Sequence, residues 1–81
     1  MLRMATKTKL SPEEAIKRAV KFFGPDGHGL KVKEQSATGA YFEGGGGIVE
    51  VTTCAEEKGT SVELVSQEWD YQVKEFIGKI H

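Results

Sequence analysis

The period of apolar and polar positions changes along the chain, and each change marks an element. The stretch Thr60–Ile80 carries two periods in succession. Val62 and Leu64 alternate with Ser61 and Glu63, the period of two that a strand with one buried face requires. Trp69, Val73, Phe76, Ile77 and Ile80 then recur at spacings of 4, 3, 1 and 3, which places all five on one stripe of a helix. Such a stripe needs an apolar surface beneath it, and the strands before it are expected to supply one.

Upstream, Ile16, Ala19, Val20 and Phe23 form a second helical stripe, flanked by Ala15 and Phe22. Its start is signalled by Ser11 as N-cap, Pro12 at the first helical position and Glu14 completing a capping box. Gly24 and Pro25 are expected to end it, with Gly24 as a left-handed cap. Then Leu30–Gln35, Ala40–Glu43, Ile48–Cys54 and Thr60–Ser66 read as strands, joined by short glycine-rich or polar turns. Short connections favour an antiparallel meander. Leu30, Val32, Phe42, Val49, Val51, Val62 and Leu64 are expected to face the helices. Tyr41, Ile48 and Val65 would lie on the outer face among Glu43, Glu50 and Glu63. Residues 1–9 are expected to form a disordered tail, leaving 10–81 as a single α+β domain. Its predicted architecture is α-β-β-β-β-α, a four-stranded antiparallel meander with two helices packed on one face.

Composition narrows the function classes. With 81 residues the core is thin, and with Cys54 the only cysteine no internal disulfide can brace it. Two histidines and one cysteine, far apart, match no zinc spacing, so no metal or cofactor is expected. A lone free thiol fits a reducing compartment, and a cytoplasmic location is expected. No apolar run reaches membrane-spanning length, and the basic N-terminus lacks the apolar region of a signal peptide. A net charge of −1 argues against a nucleic-acid binder. The charge is nonetheless split: residues 1–33 hold eight Lys/Arg against three Asp/Glu, residues 34–81 three against nine. That asymmetry suits either ordinary solvated faces or attraction between copies.

Four stretches carry candidate chemistry. Gly44, Gly45, Gly46 and Gly47 would let backbone N–H groups approach an anion, or would make a hairpin where another segment packs close. No Lys-Ser/Thr follows them, and they open a strand rather than a helix, so neither nucleotide-loop pattern is met. Trp69 and Tyr71, with Phe42 from the sheet, would border a small apolar pocket; otherwise Trp69 seals the core and Asp70 complements the helix N-terminus. His28, and Cys54 with His28 or His81, have no diagnostic spacing for catalysis. Glu43, Glu50 and Glu63 would share a sheet face, where solvated carboxylates are the ordinary case. No catalytic residue is assigned.

A strand such as Gly59–Val65 running into a C-terminal helix over a curved antiparallel sheet resembles the end of helix-grip proteins, the START and Bet v 1-like group. The resemblance covers about the last 45 residues and implies an apolar small molecule held between sheet and helix. The residues themselves favour a non-enzymatic interaction domain, expected to self-associate through the outer sheet face (Tyr41, Ile48, Val65) or an edge strand as a homodimer. The alternative is a binder of a small apolar ligand beneath the last helix.

Overall fold

The computed structural model describes residues 1–81. Its elements follow the order β1 (Leu2–Thr8), α1 (Pro12–Phe23), β2 (Lys31–Gln35), β3 (Gly39–Gly44), β4 (Gly47–Glu56), β5 (Gly59–Gln67) and α2 (Asp70–Ile80). The strands form one antiparallel sheet in the order β1-β5-β4-β3-β2. The α+β class, the meander and the two helices match the pattern read from the sequence. The strand count does not.

The extra strand is the segment expected to be a tail. Leu2–Thr8 pairs with β5 along its length, from Leu2 opposite Ser66 to Thr8 opposite Thr60. Its alternation is there in the sequence: Leu2, Met4, Thr6 and Thr8 turn inward, while Arg3, Ala5 and Lys7 are exposed. Only two inward positions are strongly apolar, so the pattern is faint when read alone. Pairing with β5 supplies the backbone partners that fix it.

α1 begins as its caps dictate. The Ser11 hydroxyl accepts a hydrogen bond from the Glu14 amide at 3.2 Å, an N-cap worth about 1 kcal/mol. Gly24 ends the helix, but not as a left-handed cap: its φ is −70° and its ψ −169°. Glycine is needed there because a Cβ would lie 2.3 Å from the Val20 carbonyl oxygen. The left-handed turn falls at Gly29, φ +85°, just before Leu30 enters the sheet.

Both helices lie on one face of the sheet, α1 over β3 and β4, α2 over β5 and β1. The core is a single layer between them. Every residue expected to face inward is buried except Val32, which is half-buried at the β2 edge. Phe23 joins the halves: its ring centroid is 5.6 Å from that of Phe42 in the sheet and 5.3 Å from that of Phe76 in α2. Fully burying each such ring contributes roughly 1.5–3 kcal/mol. No helix is long and apolar enough to cross a membrane.

Candidate functional site

The four glycines sit where three segments converge. Gly44 pairs with Gly47 across the β3–β4 hairpin, and Gly45 and Gly46 form its two-residue turn. Their φ values of +57° and +80° fit a type I′ turn, whose twist matches that of the strands. Packing constrains the run further. The Trp69 indole N–H donates to the Gly44 carbonyl oxygen at 2.8 Å. A Cβ on Gly45 would lie 2.8 Å from Trp69 Cζ2, and one on Gly47 would lie 2.0 Å from the Gln67 carbonyl oxygen. The hairpin is thus a seat for the corner at which β5 becomes α2. Glu43 borders the shallow hollow beside the turn, placing negative charge where an anion would have to sit.

That corner is sharp. Glu68, φ +70°, is the one non-glycine residue in left-handed conformation. Trp69 then serves as the N-cap of α2 without a side-chain bond to the helix. Asp70 instead accepts a hydrogen bond from the buried Ser66 hydroxyl at 3.0 Å, tying the first turn of the helix to β5. Phe42, Trp69 and Tyr71 do not converge. Phe42 is fully buried against Phe23, Trp69 covers the hairpin, and Tyr71 points to solvent, 75% exposed.

On the outer sheet face the register sets the neighbours. Arg3, Val65, Glu50, Tyr41 and Glu34 form one row across the five strands. Ile48 lies in the adjacent row between Gln67 and Glu43, diagonal to both Tyr41 and Val65. The three are half-buried and surround the exposed Glu50 rather than forming an unbroken apolar patch. Glu43, Glu50 and Glu63 run diagonally across β3, β4 and β5, all exposed. Diagonal neighbours stand about 7 Å apart, too far to share a proton as an acid–base pair. Cys54 is exposed at the end of a row, opposite Ser61. His28 lies on the other side of the sheet, its ring 4.7 Å from that of Phe22 and its Nε2 3.9 Å from Glu75. The structure does not bring the two together as a nucleophile and base.

The two sheet edges differ. β2 is five residues long, carries Lys31, Lys33 and Glu34, and is broken by a bulge between Val32 and Glu34. These are the devices that keep an edge from pairing. β1 is seven residues long, has continuous register with β5, and contains neither proline nor glycine. On its open side, alternate residues present free N–H and C=O groups. Sequence reasoning missed this edge because it took Met1–Lys9 as a tail. The signal that reveals it is the alternation of Leu2, Met4 and Thr6 with Arg3, Ala5 and Lys7.

Comparison of the chain with protein-family models, with curated proteins and with solved structures finds no match.

Proposed function

We propose that the chain is a non-enzymatic interaction domain that self-associates by pairing β1 with β1 of a second copy. The observation that carries this reading is the contrast between edges: both carry cations, but β2 is short and bulged while β1 is regular over seven residues. Antiparallel pairing about a two-fold axis would extend the sheet to ten strands and satisfy the exposed backbone groups.

The side chains select a register. Keeping inward residues inward requires a residue to face its own copy, as Met4, Ala5 or Thr6. An axis at Ala5 sets Arg3 opposite Lys7 of the second copy, a repulsive pair. An axis at Met4 sets Met4 against Met4, Leu2 against Thr6, Arg3 against Ala5 and Lys7 against Met1, with no cationic side chain facing another. That register is the favoured one. Stacking of outer faces is less favourable, because it would desolvate the Arg3–Glu63 ion pair and remove Glu50, which stands between Tyr41 and Val65, from water with no cation opposite it. An apolar ligand beneath α2 is disfavoured by the packing there, since Leu64, Val73 and Phe76 are each at most 1% exposed.

Amide hydrogen exchange together with sedimentation tests the proposal. At low concentration alternate amides of β1 should exchange freely, and at high concentration all of them should slow as the sedimenting mass doubles. In a Cys54→Ser background, Met4→Cys should cross-link between copies under mild oxidation more readily than Ala5→Cys. A single monomeric species up to millimolar concentration, with unchanged β1 exchange, overturns it.

A further inference from the structure

The helical side of the molecule carries a different feature. Where α1 and α2 lie side by side, Phe22, Phe76 and Ile80 line a hollow of about 470 Å³. The Phe22 and Phe76 rings are 5.5 Å apart at its base. Arg18 and Lys21 border it from α1 and Lys79 from α2, with His28 at one end and no carboxylate in the lining. At Arg18, Lys79 and Ile80 it continues into a second hollow of about 920 Å³, bordered also by Lys7, Lys9 and Lys58 and by Glu56 and Glu57.

The charge around this groove is far from that of the chain. Six of the eleven Lys/Arg border it, against two of the twelve Asp/Glu, in a protein of net charge −1. Lys7 is paired with Glu56 at 3.4 Å and Arg18 with Glu14 at 3.6 Å. His28 Nε2 lies 3.9 Å from the Glu75 carboxylate. Lys9, Lys21, Lys58 and Lys79 carry no ion pair. The C-terminal end of α2 adds partial negative charge nearby, which four unpaired ammonium groups outweigh. An apolar floor under unpaired cations suits a molecule with matching halves. The narrower hollow has the size of a small-molecule site and is too small for a stable protein interface.

We infer that this groove binds a small free amphiphile: one anionic head, a carboxylate, on an apolar body. The body lies against the half-buried Phe22 and the methylene stems of the surrounding lysines, with the buried Phe76 and Ile80 beneath them, and the head is held by Lys21 and Lys79. The narrower hollow, which holds the ligand, contains no β1 residue and does not depend on self-association.

The test is titration of the full chain with laurate below its micelle concentration, read by NMR at the Ile80 methyl and Phe76 ring. Decanol is the neutral control, and vesicles of anionic and of zwitterionic phospholipid form a separate arm. Laurate should give saturable shifts confined to the groove. Decanol should bind more weakly, and Lys21→Glu with Lys79→Glu should weaken laurate by roughly tenfold or more. Because both lysines are at the surface, the variant's melting temperature should stay close to the parent's. A second variant, Lys21→Gln with Lys79→Gln, should show a smaller loss in the same direction. Equal binding of laurate and decanol, shifts spread through the core, or unchanged affinity in both variants overturns the inference. Binding to anionic vesicles without binding of free laurate overturns it in favour of a membrane surface.

Discussion

Replacing the glycines of the β3–β4 hairpin one at a time by alanine separates a packing seat from a flexible loop. Gly46 has φ +80° and nothing within 4 Å of its missing Cβ, so alanine meets only backbone strain. The left-handed conformation costs about 1–2 kcal/mol, and the lost freedom of the unfolded chain returns about 0.4–1 kcal/mol. The net loss at Gly46 is therefore roughly 1 kcal/mol. Gly45 adds a clash, since its Cβ would sit 2.8 Å from Trp69 Cζ2. Moving that ring strains the indole bond to the Gly44 carbonyl and raises the loss to about 2–3 kcal/mol. Gly47 needs no left-handed φ, yet its Cβ would fall 2.0 Å from the Gln67 carbonyl oxygen and 2.7 Å from Glu68 Cβ. Backbone must move there, and the loss should exceed about 3 kcal/mol.

Urea unfolding followed by far-ultraviolet circular dichroism, which does not depend on Trp69, reads the series. With a slope of about 1 kcal/mol per molar urea, the three variants should lose about 1, 2–3 and more than 3 M in midpoint. In a Trp69→Phe background the ring contact is removed, so the cost of Gly45→Ala should fall by about 1 kcal/mol while that of Gly46→Ala stays unchanged. Equal losses at all three positions, or a largest loss at Gly46, would refute the seat and leave a flexible loop as the explanation.

Two further substitutions probe the joints of the fold. Glu68→Gly removes the strain at φ +70°, and the gain should exceed the entropy it adds to the unfolded chain, raising stability by about 0.5 kcal/mol in the same assay. Thr60→Val keeps the shape but removes the hydroxyl that donates to the Leu10 carbonyl at 2.6 Å; calorimetry should show a loss of about 1–2 kcal/mol, since Thr60 is 2% exposed.

What was legible in the sequence follows from how local each signal is. α1 was readable because its cap, its stripe and its terminating glycine lie within fourteen residues, Ser11 to Gly24. The inward faces of β3, β4 and β5 were readable because period two survives in residues as distinct as Phe42, Val51 and Glu63. β1 was not, because a strand with two strongly apolar positions owes its existence to a partner about sixty residues away. The Gly44–Gly47 run announced something unusual but not what: the reason for Gly47 is the Gln67 carbonyl, and the reason for Gly45 is the Trp69 ring. Sequence places neither beside the hairpin. The groove between the helices was equally hidden, since Lys21 and Lys79 belong to opposite ends of the chain.

The uneven charge along the chain takes on physical meaning once the topology is known. The basic N-terminal third supplies Arg18 and Lys21 to the helical side and Arg3 and Lys7 to the outer side of β1. The acidic remainder sends Glu43, Glu50 and Glu63 to the outer sheet face because period two allows each strand one wet side. The outer face is mixed rather than purely acidic, since Arg3 pairs with Glu63 at 3.8 Å and Lys31 stands opposite Glu43, and this bears on how copies can meet. Face-to-face stacking would desolvate the Arg3–Glu63 ion pair and take Glu50, between Tyr41 and Val65, out of water with no cation opposite it. Pairing edge to edge leaves every carboxylate in water, leaves the hollow between Phe22 and Phe76 untouched, and uses the one boundary of the sheet that carries no bulge. The charges of the outer face and the bulge-free first strand thus favour the same mode of association, for independent reasons: one raises the cost of the competing contact, the other supplies the bonds.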